Sequence, residues 1–291
     1  MHAYMIIAHN QFELLEKLIK ALDDERNDIF VHIDAKVKNF DFEHFKTVCR
    51  KSRLVFTDKR INVTWGDYSQ VETEMLLLKT AINYETSTNE YSYFHLISGC
   101  DLPIKSNDYI HSFLEENKGK EFIHFTDIND NTVAKSRIQY YHFFRKSRNL
   151  VNKILSQILL KPQQILGVNR LKNKRITAQK GCNWFTVTGD FARYVVDRMD
   201  EYKNVFKYSY CGDEVFIQTV FVNSPFKENL FMEKSNDHYA CLRLIDWNRG
   251  KPYVWRNEDY ELISQSPCLF ARKFDLTTDS EIVEKILATL V

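Results

Sequence analysis

Four short polar clusters stand where apolar runs give out: Ala8-His9-Asn10, His32-Ile33-Asp34-Ala35-Lys36, Trp65-Gly66-Asp67 with Ser69, and Ser98-Gly99-Cys100-Asp101. In open α/β sheets, ligands bind beyond the carboxyl ends of the strands, so residues at these places are the first candidates for binding. Each cluster alone also reads as chain punctuation, with Asp34 as a turn residue and Asn10 and Ser69 as helix caps. A fifth cluster, Cys211-Gly212-Asp213-Glu214, sets two carboxylates where a helix should begin. A carboxylate favours a helix N-terminus for electrostatic reasons alone, and Asp213 is suited to be the cap. Four cations near the carboxyl end, Arg243, Arg256, Arg272 and Lys273, could meet an anion or could simply be solvated, the commonest fate of Lys and Arg.

The elements that must position these clusters follow from periodicity. Residues 3–8, 28–33, 54–56, 93–97 and 121–126 read as strands. Between them lie helical patterns: Asn10 as a cap for a helix to about residue 23, with Leu15, Leu18 and Leu22 on one face, then residues 67–83 and 106–117. Strand and helix in alternation predict a mostly parallel sheet flanked by helices. Further on, helices are expected near 138–160, 189–199 and 213–222, while Asn183-Trp184-Phe185-Thr186-Val187 reads as a strand that would bury Trp184. With no repeat and no low-complexity linker, the expectation is one domain over 1–291. Residues 1–130 form its first half, 131–189 a basic helical insertion, and 190–291 its second half.

Composition narrows the function. The 291 residues carry a formal net charge of +1, and no nucleic-acid reader motif is present, so nucleic acid is not expected as a partner. The six cysteines are scattered without a C-x-x-C pair, which argues for free thiols in a reducing compartment. Met1 leads directly into a strand, and no apolar run reaches 18 residues, so the expectation is a cytoplasmic protein. Residues 131–189 are different: they hold twelve Lys and Arg and no Asp or Glu, beside apolar runs and the aromatics Tyr140, Tyr141, Phe143 and Phe144. Cations beside apolar residues suit peripheral contact with the inner face of an anionic membrane. The alternative is that the runs pack on the sheet and the cations line a cleft.

The order of the motifs resembles that of the core-2/I-branching β-1,6-N-acetylglucosaminyltransferase family, in a bacterial-type form. The matching stretches are His32 to Lys36, Val63-Thr64-Trp65-Gly66 with Ser69, Tyr93 to Lys105, Gly181 to Phe185, Gly212-Asp213-Glu214, Leu242 to Trp247, and Leu269 to Asp275. The resemblance implies a glycosyltransferase-A fold, Rossmann-like, and an inverting transfer from a UDP-sugar, most often UDP-N-acetylglucosamine and in some relatives UDP-xylose. The acceptor would be a glycan or a lipid-linked glycan.

By the same resemblance Glu214 is the catalytic glutamate, Lys273 the diphosphate-binding lysine, and Arg256 the second cation, with Arg243 and Arg272 as alternatives. Ala8, His9 and Asp34 would hold the uridine, Ser98 and Asp101 would lie near the donor, and Trp184 and Asp213 would face the acceptor. Inverting transfer needs a base for the acceptor hydroxyl and positive charge on the departing diphosphate. Many enzymes of that fold hold a metal with Asp-x-Asp, but Ser98-Gly99-Cys100-Asp101 keeps one carboxylate, and a thiol is a poor partner for hard Mg²⁺. Asp127-Ile128-Asn129-Asp130 reads as a loop. No metal and no cofactor are therefore expected.

Overall fold

The chain starts in a strand buried on both faces, β1 (His2–Ala8), and continues through α1 (Phe12–Ala21) into an equally buried β2 (Asn27–Ile33). A short α2 (Phe42–Phe45), β3 (Arg53–Phe56), α3 (Ser69–Asn83) and β4 (Tyr93–Ser98) follow. Next come β5 (Asp101–Pro103), α4 (Asn107–Glu116), β6 (Phe122–Ile123), α5 (Thr132–Ile138), α6 (Leu150–Ile165) and β7 (Phe185–Thr188). The chain ends through α7 (Gly189–Asp197), α8 (Met199–Phe206), α9 (Asp213–Val222), β8 (Arg243–Ile245), α10 (Tyr260–Ser264), β9 (Phe270–Arg272) and α11 (Ser280–Ala288). This computed structural model describes residues 1–147, 149–172 and 174–290; Arg148, one of the twelve cations of the basic segment, lies outside the described residues.

Six strands form the central sheet in the order β3-β2-β1-β4-β7-β6. The first four are parallel, while β7 runs antiparallel to both β4 and β6. The architecture is the expected mostly parallel sheet flanked by helices. Alternation along β1 sends Ala3 and Met5 to one face, under α3, α7 and α9, and Tyr4 and Ile6 to the other, under α1, α4 and α11. Both faces are covered, which is why the parallel strands read as continuous apolar runs.

A second sheet, in the order β5-β9-β8, was not visible in the sequence; its strands are three residues each, too short for a period to register. Other expectations need correction. Asn10 does not cap α1; the N-cap is Gln11, in the left-handed region at φ 54°, with no side-chain cap bond. Ser69 is the first residue of α3 rather than its cap, and its Oγ accepts the Thr64 N–H at 3.0 Å. The helix expected over 138–160 begins only at Leu150, as α6; α5 ends at Ile138, and the described residues between the two are irregular. Residues 185–188 of the basic segment are β7, so its last part belongs to the central sheet.

Candidate active site

Because β2, β1 and β4 are adjacent and parallel, their carboxyl ends lie side by side, and Asp34, Ala8 and Ser98 come together. The junction is stitched by backbone bonds: Asp34 N–H donates to the Ala8 carbonyl and Gly99 N–H to that of Ile7, both at 3.0 Å. The ends wall a cavity of about 370 Å³ that also touches His9, Lys36, Trp65, Trp184 and Arg272. Asp34 is buried; its Oδ1 accepts the Lys36 N–H at 2.8 Å, and Lys36 Nζ lies 3.3 Å from Oδ2. Burial lowers the proton affinity of His9, with the Asp34 carboxylate opposing.

Asp101 is placed differently. It faces Arg272 across the β5–β9 ladder, is fully buried, and lines neither this cavity nor the next. Its carboxylate accepts the Ser98 N–H at 2.8 Å, the Ser98 Oγ–H at 3.0 Å and Arg272 Nη1 at 2.7 Å. The guanidinium also donates to Ser98 Oγ and lies 4.4 Å from the centre of the Trp184 ring. Asp101 therefore positions Arg272, and the guanidinium occupies the place beside the lone carboxylate.

Trp65, Gln70, Asn183, Trp184 and Arg272 are shared with a second, larger chamber of about 800 Å³, so the two are halves of one cleft. Lys273, Glu214, Asp213, Lys180 and Trp247 line this half. Glu214 sits in the first turn of α9. Arg137 Nη1 donates to its Oε2 at 2.7 Å and Lys180 Nζ lies 3.3 Å from the same oxygen, while Oε1 has no hydrogen bond or ion pair among the described residues. Its carbonyl accepts the N–H of Gly181 at 2.9 Å. Only glycine fits there, since a Cβ on residue 181 would stand 1.7 Å from the His124 carbonyl oxygen.

Asp213 is buried under Glu214 and does not cap α9 through its side chain. Gln70 Nε2 donates to its Oδ2 at 2.6 Å, and Oδ1 is buried without a partner. Burial, and then the Glu214 charge, push its carboxyl up to about 7. Behind it, Glu74 of α3 is fully buried, and burial followed by Asp213 raises it well above the usual carboxylate range. Glu74 was missed in the sequence, although it falls on the buried stripe of α3 with Val71, Met75 and Leu78, which was the signal available.

The second cation needs revision. Arg256 is exposed and lines neither chamber; its backbone N–H donates to Asp259. Arg243 is fully buried and donates to the carbonyls of Cys241, Leu96 and Phe185, so it is a structural cation. Arg272 lines both chambers beside Lys273. Arg137 and Lys180, which flank Glu214, were read only as members of the basic segment.

Among the described residues, one group has metal-ligand character: His124, Cys182 and His238, whose ligand atoms lie within 4.8 Å of one another. Cys241 Sγ is 3.5 Å from Cys182 Sγ. These are soft donors, unlike the oxygens that hold Mg²⁺ at a diphosphate. The Cys182 N–H donates to His124 Nδ1 at 3.0 Å, which leaves the proton of a neutral ring on Nε2, so a metal at Nε2 would have to displace it.

Comparison with known proteins bears on this site. Rat xylosyltransferase 2 is 25% identical over 302 residues, covering 97% of this chain and 33% of its own length. Human xylosyltransferase 1 is 24% identical over 305 residues, covering 98% and 30%. The chain thus spans about a third of the length of these curated relatives. Among solved structures, the apo form of mouse xyloside xylosyltransferase 1 aligns over 93% of this chain and 97% of its own, at 9% identity and a TM-score of 0.36. The model of the Core-2/I-Branching enzyme family matches residues 2–265, a span that takes in both chambers apart from Arg272 and Lys273, and the chain belongs to that family.

Proposed function

We propose that the chain is an inverting glycosyltransferase that moves a sugar from a UDP-sugar to a hydroxyl of a glycan acceptor without a metal ion. The observation that carries this reading is the shared wall of the cleft: the chamber at the strand ends holds Asp34, and the chamber joined to it is lined by Glu214, Arg272 and Lys273. A nucleotide in the first would present its diphosphate to the two cations. Glu214, its Oε2 fixed by Arg137 and Lys180, would take the acceptor hydroxyl proton on Oε1. As the acceptor oxygen bonds to the anomeric carbon, the bond from that carbon to the diphosphate breaks. Lys273 and Arg272 then offset the charge of departing UDP. Ala8, His9 and Ser98 would contact the nucleotide, and Trp184 the sugars.

The family resemblance favours N-acetylglucosamine as the transferred sugar, and the xylosyltransferase names of the relatives make xylose the second donor to try. Glu214→Gln tests the core of the proposal. UDP release from either donor in the presence of acceptor is expected to fall by about 10²–10⁴-fold, with stabilisation of the protein by the donor unchanged. Near-normal turnover would remove Glu214 as the base. Absence of any UDP release from the unmodified protein would favour a non-catalytic carbohydrate-binding protein.

A further inference from the structure

Helix α6 is turned inside out. Its one buried residue is Ser156, and its other partly covered positions include Asn152 and Gln163. Gln163 ties the helix to the chain before it, accepting the Tyr141 N–H at 2.8 Å and donating to the Tyr141 carbonyl at 3.0 Å. Leu150, Val151, Ile154, Leu155, Ile158 and Leu159 are exposed, Leu150 at 72%. At its last residue and just beyond, Ile165 and Leu166 are exposed at 85% and 78%. At about 100° per residue these positions fall within roughly half the circumference. A helix covering a core shows the opposite arrangement, with its apolar stripe inward. A contiguous apolar face on the surface marks an interaction site.

Its surroundings say what it meets. Lys153 and Lys161 lie on the helix, Arg145 and Lys146 precede it, and the whole segment 131–189 contains no acid. Tyr141, Phe143 and Phe144 add exposed aromatic rings beside it. An apolar face with cations and interfacial aromatics around it, in a segment without any acid, matches an anionic lipid surface. A second copy fits poorly, because a two-fold contact would set this all-cationic segment against itself. No described helix is long and apolar enough to cross a membrane, so α6 would lie on the bilayer rather than span it.

We propose that α6 is a docking helix that rests in the headgroup region of an anionic bilayer with its outward apolar face in lipid. The site geometry gives docking a consequence. A pocket of about 240 Å³ is walled by Asn152, Lys153 and Gln157 of α6 together with Trp65, and Trp65 also lines both chambers of the cleft. The docked enzyme holds its cleft beside the membrane surface, where an acceptor glycan carried on lipid is presented. Docking itself does not depend on the proposed chemistry.

The test is sedimentation of the full chain with vesicles of phosphatidylcholine alone or mixed with phosphatidylglycerol, at low and high salt. Binding is expected to the anionic vesicles, with little to the neutral ones and release as salt rises. Ile154→Glu combined with Ile158→Glu is expected to lower vesicle partitioning by about 10-fold or more, with thermal stability and the shift induced by UDP-sugar unchanged. Lys153→Glu combined with Lys161→Glu is expected to remove the preference for anionic lipid. Failure to sediment at low salt, equal binding to both vesicles, or full binding by either double variant overturns the proposal. A solution dimer that Ile154→Glu with Ile158→Glu turns into monomers, with no vesicle binding, overturns it in favour of a second copy.

Discussion

Replacing Arg272 by Met tests whether the lone carboxylate of Asp101 is there to hold a guanidinium. The pair is asymmetric: the Asp101 side chain is 1% exposed and that of Arg272 19%. Methionine keeps most of the volume over Trp184 but leaves the carboxylate buried without its countercharge. Breaking a buried pair this way typically costs about 3–5 kcal/mol. Two donors stay behind, the Ser98 N–H at 2.8 Å and the Ser98 Oγ–H at 3.0 Å, and they continue to solvate the anion. Bonds to charged groups contribute about 1.5–3 kcal/mol each, so the expected loss is at the low end, roughly 2–4 kcal/mol, including the lost ring contact. Urea denaturation at neutral pH measures it. Asp101→Asn supplies the second edge of a double-mutant cycle, and the two changes together should cost about 2 kcal/mol less than their sum. Costs that add within about 0.5 kcal/mol would refute the claim that Asp101 exists to position Arg272.

Three further outcomes follow from the same cleft. Asp213 has its carboxyl raised to about 7 against an ordinary 3.8, so its contribution to stability is present below pH ~4 and is lost as pH rises through about 7. The full swing is of order 4 kcal/mol. Asp213→Asn should flatten the decline of the urea midpoint between pH 4 and 8; a slope equal to that of the unmodified protein would count against a protonated Asp213. Residual slope is expected from Glu121, which burial raises to about 7. Turnover should survive excess EDTA, whereas Lys273→Ala should weaken UDP binding and cut turnover by about 10²-fold or more. Activity lost to chelator and restored by Mn²⁺ would overturn the metal-free reading.

The parallel half of the sheet was legible because β1, β2 and β4 are buried on both faces and leave an unbroken apolar run. The break between α5 and α6 was not, because the long-range contacts that make it carry no local signal. Arg170, over thirty residues from the end of α5, donates to the carbonyls of Ile138 and Tyr140 and lies 4.8 Å from the centre of the Tyr141 ring. Those carbonyls are the ones a continuing helix would have used. Asn149 then caps α6 by accepting the Asn152 N–H at 2.8 Å. Likewise, the sequence marked the apolar run in 131–189 but not which way it faces, since an amphipathic pattern is the same whether the apolar stripe points inward or outward.

The candidate cations show the same limit in the site. Arg256 and Arg272 are both arginines near Lys273, and spacing alone does not rank them. The β5–β9 pairing does, because it sets Arg272 opposite Asp101 and over Trp184. That pairing also limits what Arg272 offers an anion, since part of its charge is already met by a buried carboxylate. In the proposed function, the attraction for a diphosphate would then come from the sum of the chamber. Lys180, Lys251, Arg272 and Lys273 line it against Asp213 and Glu214. Each proton taken up by Asp213 removes one of those two negative charges, so the chamber becomes more cationic as pH falls through about 7. Behind it, buried Glu74 is raised well above the usual carboxylate range by burial and then by Asp213. In the proposed transfer Glu214 is the carboxyl of this stack that an acceptor can reach, because its side chain is 34% exposed, whereas Asp213 and Glu74 are buried, each with one oxygen lacking a partner.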